Sequence, residues 1–206
     1  MKRIYAGVFA LVGWFSVIGQ YLTTHADGLA STIDYLSYFT ILSNILVAST
    51  LSFAALAPGS GPGRFLLRPP VAMATAVYIT VTGITYYFIL SGLYHLTGWT
   101  KHFDHLLHYV MPPAYVLFWL VFLPKGALHL RNVAWMLVPP LLYAAWTLIH
   151  GPLSGFWPYP FVDLPKIGWT AFIKNVVEFT IFFALVGAIY TLIDRVIGHL
   201  RGHHPV

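Results

Sequence analysis

The chain contains no cysteine, which excludes disulfides, thiolate-bound metals and a thiol nucleophile. Charge is nearly as scarce: six acids and eleven bases make up 8% of 206 residues. A soluble domain carries roughly a quarter of its residues as charges, so that class is excluded too. The net charge of +5 is not gathered into a basic run or an Arg-rich stripe, and no nucleic-acid partner is expected. The first apolar run passes into IGQYLTTHADG without a small-residue cleavage site, and it reads as an uncleaved helix instead of a signal peptide.

What is abundant is apolar: 58% of the residues, in blocks near the ~20 that cross a bilayer core as a helix. Polar and Pro/Gly-rich breaks (ADG, APGSGPG, LTGWTKH, LPKGALH, HGPLSGFWPYP) separate blocks near 4–23, 33–56, 70–93, 102–123, 133–150 and 169–195. The expectation is an all-α polytopic membrane protein, one six-helix domain over residues 1–206. Lys2, Arg3, Arg64, Arg68, Lys125, Arg131, Arg195 and Arg201 fall on one side of this topology, against Lys101, Lys166 and Lys174 on the other. That bias favours cytoplasmic termini. Asp27, Asp34, Asp104, Asp163 and Glu178 belong to the outer half, with His25, His95, His102, His105, His108 and His150. The tail HLRGHHPV, with His199, His203 and His204, reads as a solvated end.

Two stretches of the outer half are chemically suggestive. In FDHLLHYVMPP, Asp104 precedes His108 by one helical turn and is able to orient its imidazole. Pro112 and Pro113 have no N–H for the carbonyls of His108 and Tyr109, so the helix is expected to open beside a polar pocket. The competing reading is a structural kink around a hydrogen-bonded histidine. In YLSYFTILSNIL, Ser37, Thr40 and Asn44 share a helix face. Thr40 and His108 each lie about 10 Å below the outer interface at 1.5 Å per residue. Hydroxyl residues in membrane helices more often simply pack or bond neighbouring carbonyls. Glu178 follows Lys174 by one turn and either pairs with it or faces the cavity. His150, Trp157 and Tyr159 stand at the outer rim as substrate-mouth residues or interfacial anchors.

Taken in order, YFTILSN, DHLLHYVMP and SGFWPYPF resemble the androgen-induced and androgen-dependent (ADTRP-like) membrane proteins and their small bacterial relatives. Asp104 stands where the animal motif has Asn, Tyr109 where it has Thr, and Pro158 fills the variable place of W-x-Y-P. The animal members are threonine hydrolases of fatty acid esters of hydroxy fatty acids. The resemblance implies Thr40 as nucleophile and His108 as base. His105 matches a supporting position, and the placement of Asp104, Asn44 and Glu178 makes them further supporting candidates, Asn44 as an oxyanion donor. Ser37, His150, Trp157 and Tyr159 would contact a lipid drawn from the bilayer. No cofactor or metal is implied, and the location is integral to a bacterial cytoplasmic membrane, with the site in the outer-leaflet half. Three alternatives stay open: a zinc hydrolase using His105, His108 and either His150 or a carboxylate, a haem carrier using His95, His108 or His150, and a non-enzymatic transporter or receptor.

Overall fold

The computed structural model describes residues 1–25 and 27–201. Six of its helical stretches are long and apolar enough to cross a membrane, and no strand occurs among the described residues. The first is α1 (Lys2–Thr24). A short helix, α2 (Leu29–Leu36), leads into α3 (Phe39–Leu56), and α4 (Gly61–Leu66) caps the opposite end. The third stretch joins α5 (Pro69–Thr85) to a π-helical turn, Tyr86–Leu90. The fourth joins α6 (Gly98–His105), a second π turn at Leu106–Val110, and α7 (Met111–Phe122). Then come α8 (Arg131–Met136) with α9 (Val138–Ser154), and α10 (Leu164–Leu200). Gly168, at φ 74° and ψ 166°, kinks the start of α10 in a conformation that side-chain-bearing residues rarely adopt. His203 and His204 lie outside the described residues.

The distribution of side chains is that of a bundle in lipid. Large apolar residues face outward (Leu11, Leu142, Leu153, Ile181, Leu192), while Ser16, Ser43, Thr50, Thr75 and Thr191 are buried. Small residues set the close packing of α1 on α3, where a Cβ at Gly13 would lie 3.0 Å from that of Ala48. Such approaches are how helices associate without a hydrophobic drive between them. Tyr115, Phe118, Met73 and Val77 fill the centre between α5 and α7. At the end of the bundle away from the site, buried Asp194 of α10 accepts from the N–H groups of Gly126 and Leu128, each at 2.9 Å, and so ties the 123–130 loop to the last helix.

One expected boundary is wrong in a way that matters. The block 33–56 is not a single helix: it breaks at Ser37–Tyr38, and Tyr38 is extended (φ −81°, ψ 126°). The break holds because its polar groups find partners. Ser37 Oγ donates to the Ile33 carbonyl at 2.8 Å and accepts from Trp146 Nε1 at 2.9 Å, and the Tyr143 hydroxyl donates to the Ser37 carbonyl at 2.9 Å. Thr40 therefore stands in the first turn of a spanning helix, not midway along one.

Candidate active site

Thr40 begins from that helix start. The first N–H groups of a helix have no partner within it, and Thr40 N–H donates to the Tyr159 hydroxyl at 3.0 Å. The same hydroxyl lies 3.2 Å from Thr40 Oγ1. Tyr159 arrives from the loop between α9 and α10, 119 residues away. Burial pushes its pKa up to about 12, against the opposing pull of its bonds to Thr40, so the phenol keeps its proton at neutral pH.

His108 comes from the second π turn. The turn is defined by the Met111 N–H reaching the Leu106 carbonyl, five residues back, and it lies where Pro112 leaves the His108 carbonyl without its helical donor. Glycine lets α5 press against this distortion: a Cβ at Gly83 would sit 3.3 Å from the His108 carbonyl oxygen and 3.1 Å from Pro112 Cγ. Asn44 Nδ2 donates to the Leu107 carbonyl at 3.3 Å. The π turn at Tyr86, marked by Ser91 N–H donating to the Tyr86 carbonyl at 2.8 Å, brings that ring flat onto His108, with centroids 3.7 Å apart at 15°.

The polar groups now form one chain. His108 Nε2 is 3.3 Å from Thr40 Oγ1. His108 Nδ1 is 2.9 Å from the Asp104 carbonyl and 3.2 Å from Asp104 Oδ1. Tyr86 donates a short hydrogen bond to Asp104 Oδ2. Two acceptors at Nδ1 fix the proton there, which leaves Nε2 as an acceptor for the Thr40 hydroxyl. Thr40, Asp104, His108 and Tyr159 are all buried.

Other candidates fall elsewhere. Asn44 gives its amide to the Thr40 carbonyl at 2.9 Å as well as to Leu107, so it has no hydrogen left for an oxyanion. Glu178 lies on the exposed face, 3.6 Å from Lys174, and does not reach the cavity. His105 is exposed and packs edge-on against Tyr109. His150 is stacked on Trp146 and pairs with Asp34 at 2.8 Å, tying α9 to α2. Ser37 holds the helix break, and Trp157 covers Gly151. Neither they nor His150 line a cavity at Thr40. His105, His108 and His150 do not converge, and no three His, Asp or Glu side chains among the described residues could hold a metal together. For the haem reading, His95 is exposed and His108 has both ring nitrogens engaged.

Tyr86 was not foreseen. It sits in an aromatic run, YYFIL, with nothing local to distinguish it from a lipid-facing ring. Tyr159, expected at the rim, is buried against the threonine.

The fold and this site together define a polytopic helical membrane protein with a buried Thr–His–Asp chain at one end of its bundle. No family model matches the chain, and no curated protein or solved structure matches it either.

Proposed function

We propose that this protein is an intramembrane lipid ester hydrolase with a threonine nucleophile, of the type that its three motifs resemble. One observation carries the reading: His108 Nε2 stands 3.3 Å from Thr40 Oγ1 while Asp104 holds Nδ1 on the other side of the ring. Nucleophile, base and orienting carboxylate in this order are what acyl transfer to a hydroxyl requires.

In the first half-reaction His108 takes the Thr40 proton as Oγ1 attacks the ester carbonyl. Collapse of the tetrahedral intermediate breaks the bond to the alcohol, and His108 returns the proton to the leaving oxygen. An acyl-threonine remains. Water then attacks it with His108 again as base, and the free acid and Thr40 hydroxyl are restored. Tyr159 is the oxyanion donor in this scheme: its oxygen accepts from Thr40 N–H, and its proton, which rests on Thr40 Oγ1, turns to the substrate oxygen as Oγ1 bonds the carbonyl carbon. The amino end of α3 also directs its dipole at the developing charge. On the same reading the membrane is a bacterial cytoplasmic one. Both termini are then cytoplasmic, as the Lys and Arg distribution favours, and the site lies in the outer-leaflet half.

The direct test is covalent labelling by a lipid-like fluorophosphonate in nanodiscs. Wild type is expected to be labelled on the peptide holding Thr40, and labelling is expected to vanish in folded Thr40→Ala and His108→Ala. Absence of labelling on folded wild type would sink the proposal.

Asp104→Asn should do less. The Asp104 backbone carbonyl still accepts from Nδ1, so the tautomer survives and only the negative charge is lost. A kcat lower by roughly 10²-fold is expected, against the ~10⁴-fold seen in a serine protease where the same change reverses the tautomer. A loss as large as the latter would mean that the side chain alone sets the tautomer.

A further inference from the structure

Thr40 does not sit at the bottom of one pocket. Two cavities meet at it, sharing Thr40, Tyr159 and Leu90 as their common wall. Their walls carry different polar groups, and an ester has two halves.

The first cavity runs between α5, α9 and α10 over Phe39, Val81, Leu141, Phe179 and Phe183. The polar side chains along it are largely spent on the protein. Tyr143 donates to the Ser37 carbonyl, Asn175 to the Phe161 carbonyl, Thr180 to the Val176 carbonyl, and Thr82 bonds Ser43. Thr85 Oγ1 is left without a partner among the described residues, one hydroxyl in a wall otherwise suited to hydrocarbon.

The second cavity opens between α1, α3 and α6; its wall is mostly apolar but carries more polar groups than the first, none of them a Lys or Arg among the described residues. Gln20, Tyr38, Tyr94 and Thr100 line it with His25. Gln20 Oε1 is buried and accepts no hydrogen bond among the described residues. Burial lowers the His25 pKa, only partly offset by Asp34 and Asp27, so its imidazole is neutral at pH 7. Asp104 also lines this cavity, already engaged by Tyr86 and His108. A carboxylate brought in would meet a carboxylate and no cation. A hydroxyl would meet the amide and hydroxyl groups of Gln20, Tyr38, Tyr94 and Thr100, which are able to bond it.

We infer that the substrate is a neutral ester whose hydrocarbon acyl chain occupies the first cavity and whose alcohol half, in the second, carries free hydroxyl groups. A monoacylated small polyol, such as a monoacylglycerol, has that chemistry. An ester of a hydroxy fatty acid does not, because its alcohol half ends in a carboxylate. Cleavage puts the acyl group on Thr40 and releases the polyol with the proton that His108 returns; water then frees the fatty acid. This rests on the hydrolase reading above.

The test uses the full chain in nanodiscs, first labelled with the fluorophosphonate and then assayed on three oleoyl esters: 1-monooleoylglycerol, ethyl oleate and the oleoyl ester of a hydroxystearic acid. The expected result is labelled protein with kcat/KM for the glycerol ester at least tenfold above both others. Sites that hydrogen-bond a substrate hydroxyl reject analogues lacking it, because their own groups are left unpaired. Gln20→Leu should narrow the preference for monooleoylglycerol over ethyl oleate to under threefold. Labelled protein that cleaves the carboxylate-bearing ester as fast or faster, or that shows no preference, overturns the inference and leaves the hydrolase reading standing. Failure to label overturns both.

Discussion

Replacing Thr40 and His108 together should slow ester hydrolysis no further than replacing either one alone. Each single change, Thr40→Ala or His108→Ala, is expected to lower kcat by roughly 10⁴-fold or more, because a nucleophile without its base and a base without its nucleophile are equally idle. The 3.3 Å contact between Oγ1 and Nε2 is the physical link that makes the two act as one unit. If the residues served separate structural purposes, their losses would add. Thr40→Ser is the companion measurement. It keeps the hydroxyl at the start of α3 and gives up one methyl, so a rate within about tenfold of wild type is expected for a nucleophile of this kind. Kinetics of the three variants and the double variant, with folding checked by thermal unfolding in the same nanodiscs, decide the matter. Losses that multiply would remove the reason to read these two side chains as a pair.

The spans were legible because bilayer crossing is written in long stretches. Blocks near 102–123 and 169–195 correspond to Gly98–Phe122 and Leu164–Leu200, with the differences confined to the ends. The distortion at His108 was legible too, since a missing N–H is a covalent fact about Pro112 that no packing restores. What sequence did not carry was which face of a helix a residue shows to its neighbours. Glu178 drew attention because an ionisable group is costly in lipid, and His150 because it stands at the outer rim. Yet one is paired on the exposed surface and the other pairs with Asp34 away from the cavities. The break at Ser37–Tyr38 has no glycine or proline to announce it. It exists because Trp146 and Tyr143, more than a hundred residues later, supply its hydrogen bonds. Tyr86 is hidden for the same reason: its stacking on His108 and its bond to Asp104 depend on two π turns lying side by side.

That break explains why Thr40 is better placed than a mid-helix threonine. In a helix interior the hydroxyl folds back onto the carbonyl one turn earlier, as Thr50 does with Leu46, Thr75 with Val71 and Thr180 with Val176. Thr40, second in α3, has no such carbonyl beneath it in helical register. Its Oγ1 bonds Tyr159 and His108 instead. A hydroxyl within a membrane helix is thus kept available by starting the helix one residue before it.

Tyr159→Phe separates the chemical from the structural use of that arrangement. The substitution removes one oxygen and keeps the ring stacked on Phe161 at 5.1 Å. It leaves the buried Thr40 N–H unpaired, a cost of about 1–3 kcal/mol in stability, which thermal unfolding reads directly. If Tyr159 also donates to the oxyanion, kcat falls by roughly 10²–10³-fold with KM little changed, because the interaction exists only once charge appears on the carbonyl oxygen. A variant that melts earlier but turns over at the wild-type rate would reduce Tyr159 to a cap on α3, and the oxyanion donor would have to be sought elsewhere. Such a search would start from Thr85, which lines the first cavity and whose buried hydroxyl has no partner among the described residues. The Phe substitution also sharpens the assignment of His108. With Tyr159 no longer donating to Oγ1, the Thr40 hydroxyl retains His108 Nε2 as its acceptor, so fluorophosphonate labelling should persist at a reduced rate instead of vanishing as it does in His108→Ala.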